Sequence, residues 1–124
     1  MSDATQMTDA TLHKETIKRL FEAFRSGDTN VFDGLIVDDY VQHNPQIDNG
    51  RAAVTAFFAA AGPVDVEVHH MIAEGDLVAV HSHFKTWNTA VVDIFRLNDE
   101  GKIVEHWDVL QPVPAASKNS NTMF

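Results

Sequence analysis

The 124-residue chain contains no cysteine. Disulfides, thiolate nucleophiles and cysteine-held metal sites are thereby excluded, and the composition fits a reducing, cytoplasmic setting. Positive charge is scarce: nine Lys and Arg stand against eighteen Asp and Glu, a net charge of −9. A protein that grips a phosphate backbone needs a basic patch, and none is visible, so no nucleic-acid partner is expected. No apolar run approaches the roughly 18 residues of a membrane span. A basic start followed by an apolar segment is also missing, so no secretory leader is expected. No glycine-rich phosphate loop is found.

What is present fits one globular domain over residues 1–124, with 44% apolar residues and room for one real core. Residues 1–7 read as a loose polar start. From Thr8 to Arg25 the positions Leu12, Ile17, Leu20, Phe21 and Phe24 approximate a helical stripe, with Thr8 as cap and Gly27 as stop. Asp28 is placed to cap a short second helix carrying Val31, Phe32, Leu35 and Ile36. Tyr40 to His43 is a short extended piece ended by Asn44-Pro45. The alanine-rich Arg51 to Ala61 predicts a third helix, broken by Gly62-Pro63.

The remainder reads as β. Val64, Val66 and Val68 alternate with acids, Glu74-Gly75-Asp76 is a turn, and Leu77 to Trp87 is strand-rich. Helices followed by long strands give an α+β plan, a curved antiparallel sheet covered on one face. A strongly bent sheet leaves a cavity beneath the helices, a common ligand site.

Two final strands, Val92 to Leu97 and Ile103 to Leu110, are joined by Asn98-Asp99-Glu100-Gly101. Both carry ionisable residues where a structural strand would carry Val or Ile. With Leu97 opposite Lys102, Asp93 lies opposite His106, and Asp108 shares their face. A one-residue slip would turn Asp93 outward. Burying acids and imidazoles is costly without a partner. A desolvated carboxyl holds its proton to higher pH, which suits general acid–base work. The plainer alternative is an Asp–His link that only holds the hairpin.

Other histidines offer further readings. His81 and His83 share one face of a strand with Ala79. They suit a pocket lining, a metal pair completed by His43 or Asp108, or a structural role. His43, fixed by the following Asn44-Pro45, suits either a pocket mouth or a turn. In His69-His70 one ring at most is expected to point inward, and His13 is expected on a solvated helix surface. No Ser-His-Asp arrangement is convincing.

Taken together, Tyr40-Val41-Gln42-His43-Asn44-Pro45, Gly75 to His81, Val92 to Arg96 and Glu105 to Gln111 resemble the SnoaL-like polyketide cyclase family, as does the closing Asn119 to Phe124. The resemblance covers about Leu20 to the C-terminus. It implies a cone-shaped nuclear transport factor 2-like fold enclosing a pocket, and a homodimer through the sheet, with residues 115–124 as a flexible or dimer-contacting tail. It further implies a lyase or isomerase that needs no cofactor and no metal, performing an intramolecular aldol condensation on a polyketide-like carbonyl substrate. Asp108 matches the family's acid–base residue. His106 and Asp93 are the other catalytic candidates, and His43, His81, His83 and Phe95 the substrate-binding ones. The same fold also hosts non-catalytic binding proteins and epoxide hydrolases, so fold alone does not choose. A metal-dependent enzyme using His81 and His83 is a third possibility.

Overall fold

The computed structural model describes residues 8–124; the polar start expected at residues 1–7 lies outside them. The first helix, α1, runs Asp9–Ser26. Thr8 caps it by accepting from the Thr11 N–H, and Gly27 ends it in the left-handed conformation, φ 77°. Its buried side is Ile17, Leu20, Phe21, Ala23 and Phe24, whereas Leu12 stays exposed. Asp28 caps a 3₁₀ turn, Thr29–Val31, that leads into a one-turn helix α2, Phe32–Leu35. Ile36 leaves that helix and starts a strand, β1, Ile36–Gln42, longer than the short extended piece expected. Helix α3, Arg51–Ala61, ends at Gly62 as its sequence predicts.

Four strands follow: β2 Val66–Glu74, β3 Leu77–Phe84, β4 Thr89–Leu97 and β5 Ile103–Pro112, with a 3₁₀ turn Lys85–Trp87 between β3 and β4. Their order in the sheet is β1-β5-β4-β3-β2. Neighbours from β2 to β5 are antiparallel, but β1 lies parallel to β5. The sheet is therefore mixed, not wholly antiparallel. It is curled rather than closed.

Period-two alternation sorts the side chains. Val78, Val80, Ser82 and Phe84 of β3 and Val91, Asp93 and Phe95 of β4 are buried on the helix-covered face. The core is built where α1 and α2 meet that face. Phe24 stacks on Phe58 of α3 at 4.2 Å between ring centroids, and Phe21 meets Phe95 of β4 edge-on at 6.3 Å. The link from α3 to β2 is tied to α1 by Val64 N–H donating to the Phe24 carbonyl.

The β4–β5 register differs from the sequence expectation. Leu97 faces Ile103 rather than Lys102, Arg96 faces Glu105, and Asp93 faces Asp108 rather than His106. Two local causes account for this. Asn98 folds Lys102 into the loop by accepting from its N–H, and an irregularity inserts Val104 between the two paired positions. At Asp93 the slip amounts to two residues, a whole period, so the facing of the side chains survives.

Candidate active site

A cavity of about 320 Å³ lies between the sheet and the helices. Its walls are apolar: Leu20 and Phe24 from α1, Val54 and Phe58 from α3, Val91 and Phe95 from β4. Phe57, Trp87 and Leu110 also line it while standing 39%, 45% and 52% exposed, which marks the mouth. Polar groups gather at one end: Tyr40 and Gln42 of β1, Asn44 just beyond it, Asp93 of β4, and His106 and Asp108 of β5.

These six side chains form one network. His106 Nε2 is 2.8 Å from Asp93 Oδ1 and 3.8 Å from Asp108 Oδ2. His106 Nδ1 is 2.7 Å from Gln42 Oε1. Asn44 Nδ2 donates to Asp108 Oδ2 at 3.0 Å, and Gln42 Nε2 donates to the Tyr40 hydroxyl at 3.1 Å. Phe95 closes one side, its ring 4.9 Å from that of His106. Two buried carboxylate oxygens, Asp93 Oδ2 and Asp108 Oδ1, have no hydrogen-bond partner among the described residues. Buried polar atoms are nearly always paired, so both stand ready for a guest.

The electrostatics follow from burial. Desolvation raises the Asp93 pKa; the His106 hydrogen bond and charge oppose this, and the nearby Asp108 charge adds to it. Desolvation likewise raises Tyr40, against the Gln42 hydrogen bond and with the charges of Asp93 and Asp108. Asp93, His106 and Asp108 bring their ligand-type atoms within 4.8 Å of one another. Both imidazole nitrogens are engaged, Nε2 by Asp93 and Nδ1 by Gln42, so the trio can pass a proton between an imidazole and an acid.

The structure brings together Asp93, Phe95, His106 and Asp108, and separates three other candidates from them. His81 and His83 occupy the opposite, outer face of β3, because Val78, Val80 and Phe84 claim the core side. Neither lines the cavity, and neither can share a metal with Asp108 there. Instead His70 and His81 pair across β2 and β3, Nδ1 to Nδ1 at 2.9 Å, and His83 bonds Asn88. The Phe124 ring stacks against His69, His81 and His83. A bulge between Val68 and His70 lets both His69 and His70 face outward, so neither ring points inward.

His43 also sits outside the cavity. It stacks on Trp107 at 4.8 Å and bonds Glu105 at 2.8 Å. That bond is the main reason the Glu105 carboxyl titrates below its ordinary range. His13 is half-buried with Nδ1 unpartnered, not fully solvated. The residues that sequence reasoning missed are Gln42, Asn44 and Tyr40. Their signal was present in the same Tyr40–Pro45 motif, Gln42 and Asn44 one position on either side of His43 and Tyr40 three before it.

Helices packed on a curled, five-stranded mixed sheet give the chain a nuclear transport factor 2-like fold. A family profile described as a SnoaL-like domain matches residues 17–106, and the chain belongs to that family. Asp108 lies two residues past the matched stretch. Among solved structures, the chain is similar to an NTF-2 like protein of unknown function from Burkholderia xenovorans, with TM-score 0.75, 21% identity, and 87% of this chain and 89% of that one covered. It is similar to an M. tuberculosis LEH-like epoxide hydrolase, with TM-score 0.68, 18% identity, and 83% and 81% covered. A steroid delta-isomerase from Pseudomonas aeruginosa gives TM-score 0.64 at 19% identity, with 82% and 80% covered. These likenesses establish the fold. No curated protein sequence matches.

Proposed function

We propose that the protein is a lyase or isomerase that moves a proton on a neutral carbonyl compound without a cofactor. The finer reading is an intramolecular aldol condensation of the polyketide cyclase kind. One observation carries it: two facing carboxyls and an imidazole meet at the polar end of an otherwise apolar cavity, each acid keeping one unpartnered oxygen.

Facing carboxyls in a dry site divide roles, one keeping its proton while the other accepts. Burial raises the Asp93 pKa, so Asp93 is the acid suited to hold a proton, alone or shared with His106. Asp108, steadied by Asn44, is the base that takes a proton beside the substrate carbonyl. Tyr40, kept protonated by burial, donates its hydroxyl hydrogen to the enolate oxygen that forms. In an aldol closure the enolate carbon attacks a second carbonyl of the same molecule, and Asp108 returns its proton to the new alkoxide. The apolar walls fold the substrate and keep water out. Among the described residues no Lys or Arg lines the cavity, so a carboxylate or phosphate would find no counter-charge there, which favours an uncharged substrate.

The test is Asp108→Asn, assayed by deuterium exchange into neutral enolisable ketones and β-keto esters. Turnover should fall ~10²–10⁴-fold with an unchanged circular dichroism spectrum. An undiminished rate in the folded variant removes Asp108 as the base. A non-catalytic binder of the same ligands is the competing reading, favoured by the largely apolar lining. It requires retention of the ketone with no isotope exchange in the native protein.

Self-association through the outer sheet face belongs to the same proposal. Ile72, Val92 and Val109 stand 66%, 39% and 72% exposed on that face.

A further inference from the structure

We infer that Gln42 is a positioning residue that fixes which nitrogen of His106 carries hydrogen, and so keeps one shared proton in the His106–Asp93 pair. The backbone N–H of Asn44 can only donate. It lies 3.0 Å from Gln42 Oε1 and demands an acceptor there, which assigns that amide atom as oxygen. The opposite amide atom, Nε2, donates to the Tyr40 hydroxyl. Turning the amide over would set its NH₂ against the Asn44 N–H, two donors face to face.

The same oxygen is 2.7 Å from His106 Nδ1. A carbonyl oxygen has no hydrogen to give, so Nδ1 must supply one. On the other side of the ring, Nε2 is 2.8 Å from Asp93 Oδ1, and one hydrogen must lie between them as well. Two arrangements meet both demands: imidazolium with carboxylate, or neutral imidazole accepting from the Asp93 acid. In either, the pair carries no net charge. The other neutral tautomer would press the bare lone pair of Nδ1 against the Gln42 oxygen.

The consequence reaches the second acid. The titratable groups facing His106 are Asp93 of β4, Asp108 of β5 and, through its stacked ring at 6.4 Å, Tyr40 of β1. With the His106–Asp93 pair neutral, that pair adds no net charge beside the Asp108 carboxyl, which lies 3.8 Å from His106 Nε2. Gln42 thus acts through His106 and Asp93 rather than on reacting atoms. This role deepens the proposed function, but its measurement does not depend on turnover.

The experiment is ¹⁵N NMR of the full chain labelled at histidine, with the His106 ring signals assigned by their loss in His106→Gln. In the native protein the Nδ1 signal should be of the N–H type. In Gln42→Leu it should move toward the bare lone-pair type, and in Gln42→Glu, whose carboxylate can still accept, it should remain N–H. A native spectrum with Nδ1 bare overturns the proposal, and that reading requires no variant to fold. So does a folded Gln42→Leu whose His106 pattern equals the native one. The native spectrum reports the His106 ring whether or not any ketone is turned over, so failure here and failure of the catalytic reading are separable.

Discussion

Asp93 shows how one buried atom group couples stability to pH. Its folded pKa lies above the ordinary 3.8, chiefly through desolvation. Between those two values the native state binds more protons than the unfolded chain. Stability therefore falls as pH rises through that window, by at most ~1.4 kcal/mol per pH unit. Asp93→Asn cannot ionise, and its amide NH₂ can still donate to His106 Nε2. Urea denaturation from pH 4 to 8 should show the variant gaining on the native protein as pH rises; parallel curves would contradict the assignment. The face shared by Asp93, His106 and Asp108 was legible because strand alternation is a strictly local rule. Gln42 and Asn44 were not, since neutral amides carry no titratable signature and their roles exist only through partners 64 residues away. For His81 and His83 alternation grouped the pair correctly. The stronger apolar character of Val78, Val80 and Phe84 decided which side met the core.

At the level of elements, the helices were readable from caps and stops, and α1 and α3 end where glycine allows. Gly27 adopts φ +77°, and a Cβ there would meet the Pro63 ring at 3.1–3.2 Å. Gly27→Ala combines left-handed strain with that contact and should cost about 1–2 kcal/mol in chemical denaturation. An unaltered midpoint would show that the α3–β2 link gives way freely. The extent and partner of β1 were hidden. Asp38-Asp39 break its alternation, and parallel pairing with β5 leaves no mark in nearby sequence. The hairpin register was hidden as well, because the Val104 insertion is a property of two strands together.

The whole molecule presents two unlike sheet faces, one committed to the cavity and one open. On the open face Val109 is the most exposed large apolar side chain of β5. Light scattering on the eluting protein should give twice the 13.8 kDa chain mass, and Val109→Asp should lower it toward one. A native protein that elutes as a single chain at micromolar concentration rules out the sheet-mediated pair. Among the described residues no helix is long and apolar enough to cross a membrane. Sequence separation divides the contacts at the cavity's polar end into two kinds. The Asp93–His106 bond closes 13 residues, whereas Gln42–His106 and Asn44–Asp108 each close 64. Loop-closure entropy makes the longer closures about 1.4 kcal/mol more expensive for a flexible chain. The acid–imidazole contact thus belongs to the β4–β5 hairpin alone, whereas the amides that orient its protons are in place only where β1 lies beside β5.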